Sequence, residues 1–66
     1  MTVHVNGVAH EVPAGSALTD VVALVSAAPS GIAAAVNGEV VPRGSWSGVQ
    51  IAEGDRVEVV TAMQGG

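Results

Sequence analysis

Thr2 to Asn6 (TVHVN) and Val8 to Val12 (VAHEV) each alternate apolar with polar residues, and the Asn6-Gly7 pair between them suits the positive φ angles of a type I′ turn. The pattern predicts a β-hairpin. With a two-residue turn Val5 faces Val8 and Val3 faces His10, so Val3, Val5, Val8, His10 and Val12 share one face. Thr2, His4, Ala9 and Glu11 take the other.

Pro13-Ala14-Gly15 interrupts the alternation. Ser16 is placed to cap a helix whose apolar positions Leu18, Val21, Val22 and Val25 follow the i, i+3, i+4, i+7 rule, with Asp20 in the first turns where the helix dipole favours an acid. The helix is expected to end near Ala27 or Ala28, because Pro29 cannot continue it. Ile32 to Val36 (IAAAV) reads as a short buried strand, and Asn37-Gly38 turns it into Glu39-Val40-Val41. Pro42 ends that pairing. Arg43 to Gly48 (RGSWSG) reads as irregular, Val49 to Ile51 as briefly extended, and Glu53-Gly54-Asp55 as a turn into the longest strand candidate, Arg56 to Ala62. Two strands, a helix and two further strands, the connection through the helix crossing over right-handed, give an α+β fold. The order is that of a β-grasp domain, a mixed sheet wrapped around one main helix.

The 66 residues suffice for one domain and not for a large core, since a chain of this length buries only about 60% of its unfolded surface. There is no cysteine and there are only two histidines, so the stability of the fold is expected to rest on aliphatic packing around one aromatic residue, Trp46. A net charge of −4, with two arginines and no lysine, argues against a nucleic-acid partner, which needs clustered cations. Nor is a charged leader or a run of about 18–20 apolar residues present, so no membrane association is expected and a cytoplasmic protein is.

Ordinary active-site chemistry finds little purchase. His4 and His10 fall on opposite faces of the hairpin with no thiol nearby, which argues against a metal site. Gly44-Ser45-Trp46-Ser47-Gly48 has Trp where a nucleophile elbow requires Ser, and no glycine-rich phosphate loop opens the helix. Glu53, Asp55 and Glu58 cluster near the last strand and read as a solvated turn and strand face, since so small a chain offers little cleft. No catalytic residue is assigned, no bound cofactor is expected, and the chain is not read as an enzyme.

The sequence finishes on Gly65-Gly66. Glycine is the costliest residue to order, and nothing follows this pair for it to turn or cap, so its use is expected to lie in slenderness. The residues from Ala62 to Gly66 span up to ~17 Å when extended, enough for a thin tail to carry a carboxylate into a partner's active site. Residues 1–66 are thus expected to form a single domain in which 63–66 is a flexible tail.

Val36-Asn37-Gly38-Glu39-Val40-Val41-Pro42-Arg43 followed by Trp46, then Gly54-Asp55-Arg56-Val57, then the terminal Gly65-Gly66, resemble the ThiS family of thiamine-biosynthesis sulfur carriers along the whole chain. The related MoaD-like small subunit of molybdopterin synthase shares the Gly-Asp turn and the Gly-Gly end but not usually the V-P-R-x-x-W stretch. A ubiquitin-like protein modifier is the other reading of such a tail.

The resemblance implies that Gly66 is the working residue and that Gly65, Gln64 and Met63 thread into a partner. It implies an E1-like adenylyltransferase of the ThiF type, which uses ATP and Mg²⁺ to activate the Gly66 carboxylate. A sulfur donor such as a cysteine desulfurase then makes the thiocarboxylate, and a thiazole synthase of the ThiG type receives the sulfur. The carrier is a co-substrate in this scheme. Arg43 and Glu58 stand as possible partner contacts. For Pro42, Arg43 and Trp46 a structural role is the alternative, Pro42 stopping an edge strand and Trp46 packing beneath a loop.

Overall fold

The computed structural model describes residues 1–26 and 31–61, Thr61 by its backbone alone. Strands β1 (Thr2–Val5) and β2 (Val8–Glu11) form the first hairpin, with Val3 opposite His10 and Val5 opposite Val8 as the alternation requires. Asn6 at φ 52° and Gly7 at φ 83° make the turn. Helix α1 (Leu18–Val25) follows, then β3 (Ile32–Val36) and β4 (Glu39–Val41), turned by Asn37 at φ 51° and Gly38 at φ 86°. A 3₁₀ helix (Arg43–Gly48) leads to β5 (Arg56–Thr61), the longest strand. Ala62, the expected last residue of that strand, lies outside the described residues.

The sheet order is β2-β1-β5-β3-β4. β5 occupies the centre, parallel to β1 and antiparallel to β3, so the sheet is mixed. Alternation decides which side meets the helix: Val57 and Val59 of β5 and Val3 and Val5 of β1 are buried, while His4, Arg56, Glu58 and Val60 face away. Leu18, Val21 and Val22 of α1 close over that inner face, and Ala34, Trp46, Ile51 and Val12 complete the core.

Several details depart from the sequence pattern. Val8 lies on the face of Val5 yet is 59% exposed. It belongs to the outermost strand and sits at the hairpin tip, where no inner element covers it. Ser16 does not cap the helix; Ala17 holds that position, and Ser16 Oγ instead donates to the Pro13 carbonyl at 2.7 Å. The reason lies in the residues it meets. Ala17 bridges Gln50, Ile51 N–H donates to the Ser16 carbonyl and Leu18 N–H to that of Val49, so the chain stays extended one residue longer. Asp20 takes over part of the capping by accepting the Ala17 N–H at 3.0 Å.

The helix also ends sooner than expected, at Val25, with Ser26 extended at φ −146° while its N–H still closes the last turn on the Val22 carbonyl. Val25, placed by periodicity on the inner face, is 42% exposed because Leu18, Val21 and Val22 already fill the width of the core. Arg43 to Gly48 is a 3₁₀ helix rather than irregular chain. Pro42 at φ −58° starts it, Ser45 N–H reaches back to the Pro42 carbonyl, and buried Trp46 pins it through Nε1–H to the Val41 carbonyl at 2.8 Å.

Candidate functional site

Gly66, Gly65, Gln64 and Met63 lie outside the described residues. The fold does show how it holds the strand that runs toward them. β5 sits between two strands rather than at an edge, and its exposed residues form the middle of the outer sheet face.

Each Asn-Gly turn reaches over to β5 with its asparagine. Asn37 lies at the strand's entry: its N–H donates to the Arg56 carbonyl at 2.7 Å, and its Oδ1 accepts the Arg56 N–H at 3.0 Å. Its Nδ2 donates to Asp55 Oδ1 at 3.1 Å. Asn6 lies farther along: its N–H donates to the Val57 carbonyl at 2.9 Å, its Oδ1 accepts the Val59 N–H at 2.9 Å and its Nδ2 donates to the Val59 carbonyl at 3.1 Å. Both residues tolerate left-handed backbone because their short amides bond locally, and here that same amide spans to a strand distant in sequence. The sequence pattern marks them as turn residues and is silent about this second use. The clue present in the sequence is that Asn, with a donor and an acceptor, recurs where Asp would also make the turn.

The acids near β5 divide by role. Glu53 Oε1 accepts the Thr2 N–H at 3.0 Å, and Asp55 Oδ2 accepts the Ala52 N–H at 2.8 Å, so within the solvated turn expected here both carboxylates also brace the backbone that leads into the strand. Glu58 does face solvent, opposite Ala35, along an open groove lined by His4, Gly7, Asn37, Gly38, Arg56 and Val57. On this outer surface Val60 and Val40 are also exposed, at 58% and 71%. Thr2 Oγ1 bonds the Glu11 carboxylate, as expected of residues that share the outer face of the hairpin.

Arg43 is exposed, with its guanidinium carbon 5.7 Å from the centre of the Trp46 ring. Trp46 is thus structural: its indole is buried, its N–H is satisfied, and one ring face carries a cation. Arg43 and Glu58 lie on different parts of the surface, one on the 3₁₀ helix and the other on the sheet, and the fold does not bring them together. Among the described residues no three of His, Cys, Asp and Glu converge on a metal-sized site, and no helix is long and apolar enough to cross a membrane.

Comparison with known proteins agrees with this architecture. A crystal structure of a thiamine biosynthesis protein (ThiS) from Geobacter metallireducens superposes with a TM-score of 0.85 at 30% identity, covering 100% of both chains. A solution structure of a thiamine biosynthesis protein from the same organism gives a TM-score of 0.74 at 28% identity, covering 100% of this chain and 88% of the other. The mixed sheet with one helix is therefore a β-grasp fold. Among curated proteins, a thiazole synthase from Magnetococcus marinus is 36% identical over the whole chain, which spans 20% of that protein's length. The ThiS family model matches residues 3–66, from β1 through Gly65-Gly66, and the chain belongs to the ThiS family.

Proposed function

We propose that this protein is a sulfur carrier of thiamine biosynthesis, acting as a co-substrate through the carboxylate of Gly66. The observation that carries the reading is the family match that runs from Val3 through the Gly-Gly end. The fold supports it: a small domain whose central strand heads toward that end suits a protein handed between enzymes.

A carboxylate is a poor electrophile because oxide is too basic to leave, so activation must precede sulfur transfer. In this scheme the Gly66 carboxylate oxygen attacks the α-phosphorus of ATP on an E1-like adenylyltransferase of the ThiF type, and pyrophosphate leaves. The partner's Mg²⁺ offsets the phosphate charge. A persulfide from a donor such as a cysteine desulfurase then attacks the acyl carbon and expels AMP. Cleavage of the resulting S–S bond by a second thiol leaves the thiocarboxylate, a soft nucleophile. Its sulfur passes to a thiazole synthase of the ThiG type, a partner for which the matched thiazole synthase offers support. Dependence on ATP and on thiol chemistry suits a carrier that works in the cytoplasm.

Within the tail, Gly65, Gln64 and Met63 thread the partner's channel and residues 63–66 stay outside the packed domain. The test is intact-mass analysis of the protein taken from its native host. Oxygen replaced by sulfur at the C-terminal residue is the expected result. An unmodified Gly66 after incubation with the cognate adenylyltransferase, ATP and a persulfide donor overturns the reading.

A further inference from the structure

We propose that Asn6 is a positioning residue for the tail, its carboxamide serving as the last rung of the ladder between β1 and β5. This rests on the reading that Gly66 is the reacting residue. Along the parallel pair, His4 N–H donates to the Asp55 carbonyl and Asn6 N–H to the Val57 carbonyl. The next rung belongs to Val59, but the main chain of β1 has already left the sheet at Asn6-Gly7. The Asn6 side chain fills the vacancy, offering Oδ1 to the Val59 N–H and Nδ2 to the Val59 carbonyl as a peptide group would. Both bonds are partly buried and join residues 53 positions apart.

Val59 is buried in the core, 9% exposed, and β5 continues beyond it through Val60 to Thr61. Without the carboxamide its N–H and C=O lose their partners on the β1 side, and β5 is held there only by β3, through Ala33 opposite Val60 and Ile32 opposite Thr61. The direction in which the chain leaves the sheet is then less well fixed. Strand-end residues that loosen in the free protein must be ordered again when a partner takes up the tail, and that ordering cost opposes delivery of the carboxylate.

The control is built into the molecule. Asn37 clamps the other end of β5 from a turn of the same geometry, so Asn6→Gly and Asn37→Gly each keep the left-handed turn and delete an amide clamp on the same strand. Both are compared with wild type at a temperature well below their melting midpoints, by ATP–pyrophosphate exchange with the cognate adenylyltransferase and by ¹⁵N relaxation of the backbone amides. Asn6→Gly is expected to lower exchange efficiency tenfold or more and to lower the order parameters of Val59 to Thr61. Asn37→Gly is expected to change exchange less than twofold and to leave those order parameters alone. Equal losses in both variants, or no loss in Asn6→Gly, overturn the proposal. If wild type itself supports no exchange, the carrier reading falls, and the relaxation comparison alone decides whether Asn6 fixes the end of the strand.

Discussion

The two hairpins of this molecule begin from the same dipeptide and diverge in their surroundings. In each, Asn and Gly take nearly the same positive φ angles and the asparagine amide grips β5. Yet the first hairpin lends its inner strand to the core, with Val3 and Val5 almost wholly buried. The second ends in a three-residue strand at the sheet margin whose Val40 is 71% exposed, and it relies on the adjoining 3₁₀ helix and Trp46 to turn the chain back. Local turn chemistry fixes the bend; position in the sheet decides what the bend supports.

The sharpest way to break the comparison is to remove the same atoms from each hairpin. Val5→Ala deletes two methyl groups from a fully buried site and is expected to cost about 2–3 kcal/mol, much of the stability of so small a domain. Val40→Ala makes the same deletion at the margin and is expected to fall within about 0.5 kcal/mol of wild type. Urea titrations of the two variants decide it. Similar midpoints would mean that the first hairpin does not carry the core.

The turns themselves come next. Ala in place of Asn37 must adopt the left-handed region, at a cost on the order of 1–2 kcal/mol, and also loses the bonds to Arg56 and Asp55 at about 0.5–1.5 kcal/mol each. Asn37→Gly loses only the bonds. Asn37→Ala is therefore expected to melt below Asn37→Gly, and the difference isolates the backbone strain. If the two melt together, strain at φ 51° is not what selects Asn at this turn.

Much of this fold is legible in the sequence because it depends on neighbours in the chain. Alternation along Thr2–Val5 reveals its faces, the Asn-Gly pairs mark the turns, and Pro42 marks the end of β4. The features that escape depend on distant partners. Ser16 looks like a cap until Gln50 and Ile51 hold the chain extended beside it. Val25 has the right spacing for the core but lies beyond the width that the sheet offers. The amide clamps escape for the same reason, since the spacing between Asn6 and Val59 carries no periodicity. The Gly65-Gly66 end stands out in the sequence by its slenderness and by the family's motif, whereas the asparagines that clamp β5 require the sheet order.

The Phe substitution is expected to have a smaller effect at Trp46, the residue that returns the second hairpin to the core. Trp46→Phe keeps most of the apolar contact but leaves the Val41 carbonyl without the indole donor, at a cost of about 1 kcal/mol. Trp46→Ala loses the ring as well and is expected to cost about 3–5 kcal/mol, close to global unfolding. If Trp46→Phe proved as damaging as Trp46→Ala in urea titration, the hydrogen bond rather than burial would be what closes the second hairpin.

Arg43 should show the smallest change in stability and is the sharpest separation of folding from docking. Its guanidinium lies over the indole at 5.7 Å, a contact worth about 0.5–1 kcal/mol at an exposed site. Arg43→Ala should therefore shift the melting midpoint by only a few degrees, and Arg43→Lys, which keeps a cation but not the flat stacking surface, by less. If the arginine acts only on the tryptophan, both variants should support pyrophosphate exchange with unchanged KM. If it also meets an acid on the adenylyltransferase, Arg43→Ala should raise KM severalfold and reduce its dependence on salt, while Arg43→Lys recovers most of the loss. An unchanged KM and salt slope in Arg43→Ala, together with the small fall in melting midpoint, would confine Arg43 to bracing the indole that closes the second hairpin.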